Sequence, residues 1–234
     1  MATNYGIPPI VSNGIIFLLD PGSEKSWAGP TSNSVTDRIG GNTGTINGDT
    51  SGSYGINKSF EFDGGSTNYD KIIFSSPSGL AFGTDPFTIS VWCRAINYDN
   101  GYPYLIDFRS GGDAGNINIY FQRHSNTDEA GLEVFINGSV IDGNTGTAVP
   151  EGVWKYMTVT RSGNTFTTYV NGVVDQTGTA SNSLNSPGQL RIGERYTATY
   201  YPWDGYIGPI HMYNRALSTA EILQNYNALK GRFE

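Results

Sequence analysis

What most constrains this chain is a series of short apolar runs that alternate in period two and are cut by turn dipeptides. Asn171-Gly172 lies between the runs 165–170 and 173–176, and Asn137-Gly138 lies between Val134-Phe135-Ile136 and Ser139-Val140-Ile141. Asn-Gly accepts the positive φ of a type I′ turn, so each pair predicts a hairpin. Ser162-Gly163-Asn164 joins two further runs in the same way. Strands are expected over 14–20, 59–63, 71–75, 87–96, 104–109, 117–123, 132–136, 153–161, 165–170, 173–176, 190–192 and 205–213. Many short strands with Gly, Asn and Ser between them mark a sandwich or a barrel.

Composition supports that reading. The chain has 234 residues, of which 13% are aromatic and 15% charged, with 31 glycines and 15 tyrosines. That length suits one β domain and can bury a core without disulfide or metal help. The aromatic content excludes a disordered acidic chain, and the scarcity of Ala, Leu, Glu and Lys excludes a helix bundle. Fourteen Lys and Arg against 21 Asp and Glu give a net charge of −7, which argues against a nucleic-acid partner. No apolar run approaches the ~20 residues needed to span a bilayer, so membrane insertion is not expected. The opening residues 1–10 have neither a basic nor an apolar signal region, so no signal peptide is expected. Cys93 is the only cysteine and sits in an apolar run, where a buried structural thiol is expected.

One helix is expected near the end. Ser218-Thr219-Ala220-Glu221 reads as a capping box, with Leu217 and Ile222 in the positions of a hydrophobic staple. Ile222, Leu223, Tyr226 and Leu229 form an apolar stripe, so a helix over 219–230 should pack against the sheets.

Alternation also divides the strand faces. Phe87, Ile89, Val91, Cys93 and Ala95 share one face, while Thr88, Ser90, Trp92 and Arg94 share the other. Val153, Met157 and Val159 are likewise set against Trp154, Tyr156, Thr158 and Thr160, and Phe166, Thr168 and Val170 against Thr167 and Tyr169. The aliphatic faces should form the core. The second faces are rich in Thr but carry Trp92, Trp154, Tyr156 and Tyr169. They are either a ligand groove or a surface covered by loops, the terminal helix or a partner subunit, and the covered reading is favoured.

Several ordered segments resemble a known family. They are Phe60-Glu61-Phe62-Asp63-Gly64, Phe87-Thr88-Ile89-Ser90-Val91-Trp92, the run 154–164, Tyr169-Val170-Asn171-Gly172, Leu190-Arg191-Ile192-Gly193 and the run 210–218. Together they resemble the laminin-G-like domain of the concanavalin A-like lectin/glucanase superfamily, from about Gly14 to Leu229. The resemblance implies an all-β, two-sheet antiparallel jelly-roll sandwich. The expected organisation is an N-terminal segment over 1–13 and a single domain over 14–234. The opening residues Met1 to Tyr5, Gly14 to Gly22 and Lys25-Ser26-Trp27 resemble single-domain members found among bacteriophage virion proteins. Such proteins assemble in the host cytoplasm without a leader and leave on the particle surface.

The superfamily contains glucanases, whose retaining site resembles Glu-x-Asp-x-x-Glu. Here that stretch is Glu61-Phe62-Asp63-Gly64-Gly65-Ser66, and a serine replaces the second glutamate, so the acid/base partner is missing. The only histidines, His124 and His211, have no ligand neighbours at metal spacing, and no Gly-x-Ser-x-Gly elbow occurs. A non-enzyme is expected. The family also implies a rim Ca²⁺, for which Asp20, Asp37, Asp63 and Asn68 stand at the candidate positions. Thr67-Asn68 replaces the usual acidic pair, Ile207-Gly208-Pro209-Ile210 lacks the late acids, and turn capping explains Asp20 and Asp37 equally well.

Sugar binding remains. A pyranose offers an apolar face and a rim of hydroxyls, which suits an aromatic platform beside amides and carboxylates. The loop 194–204 supplies Arg195, Tyr196, Tyr200, Tyr201, Trp203 and Asp204, and the loop 97–104 supplies Tyr98 and Tyr102. The competing reading is packing, for Trp203 above all, or a subunit contact through Tyr200 and Tyr201. The leading expectation is a non-enzymatic adhesion module of a phage virion, as a decoration, fibre or tail-associated protein, recognising surface glycans. The alternatives are a structural virion or homo-oligomeric protein whose partners are other virion subunits and, disfavoured, a glycoside hydrolase.

Overall fold

The computed structural model describes residues 9–48, 54–65, 70–98, 102–109, 117–123, 129–136, 138–184, 188–196 and 201–234. The described strands are β1 (Ile15–Leu19), β2 (Ser34–Thr36), β3 (Thr43–Asn47), β4 (Tyr54–Gly55), β5 (Ser59–Asp63), β6 (Lys71–Ser75), β7 (Phe87–Ala95), β8 (Tyr104–Asp107), β9 (Asn118–Arg123), β10 (Glu129–Phe135), β11 (Ser139–Ile141), β12 (Val149–Pro150), β13 (Lys155–Ser162), β14 (Thr165–Val170), β15 (Val173–Thr179), β16 (Gln189–Ile192) and β17 (Asp204–Tyr213). Helix α1 (Thr219–Phe233) closes the chain. One sheet runs β15-β14-β13-β7-β17-β5-β4, with β1 also on β17. The other runs β11-β10-β9-β8-β16-β6-β3-β2, with β12 on β10. The pairings of the named strands are antiparallel, and strands distant in sequence lie side by side in both layers, as a jelly roll requires.

The inward faces are those the alternation marks. Phe87, Ile89, Val91, Cys93 and Ala95 of β7 meet Leu190 and Ile192 of β16, Ile72 and Phe74 of β6, and Phe17 and Leu19 of β1 in one continuous core. Phe17 and Phe74 touch edge to face across it, with ring centroids 5.4 Å apart. Cys93 is buried there, and burial pushes its thiol pKa up, so it behaves as an apolar residue. Asn171 and Gly172 both have positive φ (53° and 82°), as the hairpin between β14 and β15 demands. Val153 departs from expectation. It precedes β13 and is 40% exposed, because the strand begins at Lys155.

The second face of the β7 sheet is covered by α1. Trp92 stacks on Phe233 (4.6 Å, 21°) and on Tyr226 (5.7 Å, 20°), and Trp154 packs on Phe233 at 4.7 Å. The covered reading therefore holds. The capping box forms as expected: the Ser218 hydroxyl accepts from the Glu221 amide (3.3 Å), and the Ser218 amide donates back to Glu221 (2.9 Å). Arg215 adds an ion pair at 2.6 Å. The hydrogen bonds from Arg215 and the Ser218 backbone hold the Glu221 carboxyl down at about 2. The helix runs on to Phe233, and its stripe needs one correction. Leu223 is 42% exposed, beside the Gly172 turn, and Asn225 and Phe233 take the buried positions instead. Asn225 is bonded at both ends: its oxygen accepts from the Val11 amide (2.7 Å) and its nitrogen donates to Tyr213 Oη (3.0 Å). Tyr213 in turn donates to the Val11 carbonyl, so residues 9–13 strap the helix to the sheet. Among the described residues no helix is long and apolar enough to cross a membrane.

Candidate functional site

Helix α1 lies on the first sheet, so it does not cover the outer face of the second. In β16, Leu190 and Ile192 go inward, which turns Gln189 and Arg191 outward. In β6, Ile72 and Phe74 go inward, which turns Lys71 outward. Glu194 then joins the two strands, accepting from Lys71 Nζ at 3.0 Å and from Arg191 Nη1 at 2.5 Å.

The chain turns at Gly193, where φ is +84° and a Cβ would sit 2.3 Å from the Phe62 ring, so only glycine serves. The Gly193 amide donates to the Leu105 carbonyl (3.1 Å), and the Trp203 amide donates to the Gly193 carbonyl (2.8 Å). The loop thus leaves and returns at one point beside β8. Asp107 pins it there. Its buried carboxylate accepts from the Arg109 amide (2.8 Å), from Arg109 Nε and Nη2 (3.0 and 2.9 Å), and from the Tyr196 amide (2.7 Å). Burial opposes the Arg109 charge, but the hydrogen bonds and attraction from Asp107 outweigh it and raise the guanidinium pKa.

The two loops singled out in the sequence meet here. The Tyr104 amide donates to the Tyr201 carbonyl (3.2 Å), and the Ile96 amide donates to the Asp204 carbonyl (2.8 Å). Asn97 Nδ2 donates to Asp204 Oδ2 at 2.5 Å. Tyr102 lies edge-on to Tyr201 (5.4 Å, 86°), and Tyr201 lies 6.4 Å from Tyr104. The Arg195 guanidinium rests 5.9 Å from the Tyr104 ring and 5.8 Å from the Tyr201 ring, and Arg191 covers Tyr196 at 5.0 Å. Tyr201 has φ +83°, a conformation that costs a bulky residue about 1–3 kcal/mol and tends to occur at functional surfaces.

These positions sort the candidates. Tyr102, at 39% exposure, and the half-buried Tyr196, Tyr201 and Arg195 form an accessible patch. Trp203 and Tyr98 are each 1% exposed and belong to the inter-sheet core, which corrects their expected stacking role: neither ring has a face left for a sugar. Asp204 is tied to Asn97, and Tyr200 lies outside the described residues. Sequence reasoning missed Lys71, Asp107, Arg109 and Arg191, although the outward phase of β6 and β16 marks Lys71 and Arg191.

The described members of the candidate calcium set, Asp20, Asp37 and Asp63, each accept hydrogen bonds from the chain itself. Asp37 spends its oxygens on the amides of Leu18, Ile39 and Gly40 and on Asn42. Asp20 accepts from the Gly22 amide and pairs with Arg232 at 2.7 Å. Asp63 accepts from the Gly65 amide, and Asn68 lies outside the described residues. No group of three acidic, His or Cys side chains converges among the described residues, against the 6–8 oxygens that Ca²⁺ takes. Glu61 is on the opposite sheet, where it accepts from Tyr206 Oη at 3.4 Å, and Ser66 and His124 lie outside the described residues. His211 is buried in β17.

A two-sheet antiparallel β-sandwich of this topology is a lectin-like fold. The laminin-G-like family described as the concanavalin A-like lectin/glucanases superfamily matches residues 63–223, and the chain belongs to that superfamily. No curated protein sequence matches the chain. Among solved structures, domain 4 of AbnA, a GH43 extracellular arabinanase from Geobacillus stearothermophilus, bound to arabinotriose, is 17% identical with a TM-score of 0.61, covering 91% of this chain and 98% of that one. A botulinum neurotoxin type C structure, from work linking its uptake into cells to two ganglioside molecules, is 13% identical with a TM-score of 0.65, covering 93% of this chain and 51% of that one. A Trypanosoma rangeli sialidase mutant displaying trans-sialidase activity is 12% identical with a TM-score of 0.66, covering 96% and 34%. The chain therefore spans about half of the toxin chain and a third of the sialidase, and these likenesses establish the fold.

Proposed function

We propose that this protein is a non-enzymatic carbohydrate-binding module that recognises surface glycans through Tyr102, Tyr196, Tyr201 and Arg195. The observation that carries this reading is the meeting of two loops, distant in sequence, that set the exposed Tyr102 edge-on to Tyr201 and Tyr201 against the Arg195 guanidinium. A pyranose stacks on such a ring through its C–H face and offers its hydroxyls to the neighbouring polar groups. The lectin-class fold, the arabinotriose complex of a domain of the same size and the ganglioside link of the toxin support it. The incomplete carboxylate motif at Glu61 supports binding without cleavage. The resemblance of Met1 to Tyr5, Gly14 to Gly22 and Lys25-Ser26-Trp27 to phage virion proteins supports a role on a particle, as a decoration, fibre or tail-associated protein, where many copies would multiply weak single sites.

A glycan array probed with the full chain, with Tyr201→Ala and with Tyr102→Ala tests the reading. Binding by the parent and several-fold weaker binding by either variant is expected, each lost stacking contact being worth roughly 0.5–1.5 kcal/mol. A second reading has one observation of its own: Tyr102 is an exposed tyrosine, a residue type enriched in subunit contacts. If no glycan binds and both variants dissociate an oligomer, the patch is an assembly surface.

A further inference from the structure

At the far end of the sandwich from the tyrosine patch, a cavity of about 460 Å³ opens where an edge of each sheet meets the other. Strand β13 pairs Lys155 with Cys93 and Arg161 with Phe87, so the Ser162-Gly163-Asn164 turn stands at the opposite end of β7 from Ala95 and the loops of the patch. The nine residues of β7 put roughly 25–30 Å between them. The edge strands β11 and β15 close on each other here: a Cβ on Gly178 would run into the Val140 carbonyl. Hydrogen bonds fix the walls. The Ala180 amide donates to the Asn164 carbonyl and the Ile136 amide to the Gly138 carbonyl, both at 2.9 Å. Leu184 and Gly83 exchange amide-to-carbonyl bonds at 2.8 and 3.1 Å, which tethers the far end of the segment 180–184.

The cavity lies within the roughly 300–1,000 Å³ of small-ligand sites, and its lining carries no charge among the described residues. Ile136, Val140 and Ala180 give it an apolar wall. Asn164, Thr179, Ser181 and Asn182 bring two amides and two hydroxyls, and none of these four exposed side chains bonds to another described residue. Arg161, next to the turn, is fully buried, gives its Nε and Nη1 to the Gly163 and Gly83 carbonyls (2.9 Å each), and is not part of the lining. Amides and hydroxyls both donate and accept, which is the bonding pattern of a polyol. An ionic ligand would surrender its hydration and meet no opposite charge. No aromatic ring lines the cavity for a nucleobase to stack on, and the contact of β11 with β15 leaves no room between them for a peptide strand.

We propose that this cavity is a second saccharide site, selective for an uncharged hexopyranose unit. One C–H face of the sugar lies on Ile136, Val140 and Ala180, and its hydroxyls exchange hydrogen bonds with Asn164, Asn182, Ser181 and Thr179. The site does not rest on the glycan reading of the tyrosine patch. With both in place, one chain carries a sugar site at each end and bridges two glycans.

Amide NMR of the isotope-labelled full chain, titrated with methyl glucoside, methyl galactoside and methyl mannoside, tests the proposal. At least one glycoside should give saturable shifts of the Asn164 and Asn182 side-chain amides and of the backbone amides of 180–182, with a millimolar dissociation constant. Glycerol, which has hydroxyls but no ring, should give no saturable shift, and the matching methyl uronide should bind at least about fivefold more weakly. Asn182→Ala, on an exposed side chain, should weaken binding at least about fivefold. Ala180→Trp should fill the cavity and abolish the shifts; should it fail to fold, Asn182→Ala carries the test. No shift at these amides with any glycoside, the same shifts from glycerol, or unchanged affinity in the variants overturns the cavity site and leaves the patch reading standing. Equal affinity for a glycoside and its uronide overturns the selectivity for an uncharged sugar. Saturable shifts at Asn164 and Asn182 that the variants remove uphold the site even where no glycan binds at Tyr102, Tyr196 and Tyr201.

Discussion

His211 makes the acid stability of this protein predictable. Its register opposite Ser90 on β7 puts it on the face that carries Trp92, beneath α1. It is fully buried, and its Nδ1 has no hydrogen-bond partner. Burial lowers its pKa from 6.5 to about 4, with Asp20 pulling weakly the other way. The native state therefore resists a proton that the unfolded chain accepts. The contribution is complete above the unfolded pKa, begins to fade as the pH falls through 6.5, and is lost by the folded value near 4. Linkage puts the loss at about 2 kcal/mol by pH 5 and about 3 kcal/mol by pH 4, a large part of the roughly 5–15 kcal/mol that holds a domain together. The Glu221 carboxyl, held at about 2, has its own window between 4.5 and 2, so the two groups separate on the pH axis. Urea unfolding of the parent and of His211→Gln at several pH values between 7.5 and 4.5 measures the effect. Whatever the variant costs at neutral pH, its profile over that interval should be flatter than the parent's by about 2–3 kcal/mol. Parallel profiles over that interval would refute the reasoning, because they would mean that His211 gains its proton without unfolding.

Further outcomes follow from the same structure. Phe233→Ala removes the ring packed on Trp92 and Trp154 and should cost about 3–5 kcal/mol in denaturant unfolding, with a red shift in tryptophan emission as the cover loosens. Ser218→Ala should cost about 1 kcal/mol by removing the cap of α1. Glu221→Gln should leave stability nearly independent of that carboxyl below pH 4.5, since a group held at about 2 stabilises above its unfolded value and loses that contribution as the pH falls towards 2. Asp107→Ala leaves the Arg109 guanidinium buried without its carboxylate and should cost about 3–5 kcal/mol; Arg109→Met with Asp107→Leu should recover part of the stability, measured by denaturant unfolding, while the Tyr196 amide stays without its anchor.

The parts of the fold legible in the sequence are those in which one local signal is enough. Strands β7, β13 and β14 alternate cleanly, Asn171-Gly172 dictates its turn, and Ser218 with Glu221 announces the helix start. Strands β2, β3, β4 and β12 carry no such signal. Ser34-Val35-Thr36 is too short and polar, and Thr43-Gly44-Thr45-Ile46-Asn47 is interrupted by a glycine, a residue that weakens a strand taken alone. Its partner supplies the reason: a Cβ on Gly44 would lie 2.8 Å from the Phe74 ring of β6. The pairing that makes glycine correct there is non-local, so propensity could not reveal it.

The site divides along the same line. Aromatic content identified both loops, but an irregular segment has no period, so nothing local distinguishes Tyr98 and Trp203, which turn inward, from Tyr102 and Tyr201, which do not. The charged half of the patch had the opposite fate. Arg191 and Lys71 stood in outward phase within readable strands, yet they are 120 positions apart, and only the order β8-β16-β6 brings them onto one carboxylate. The same order places Asp107 beside Arg191 in the pairing of β8 with β16, where it holds the Tyr196 amide. A rim loop anchored through a buried carboxylate has little freedom left to lose when a ligand arrives.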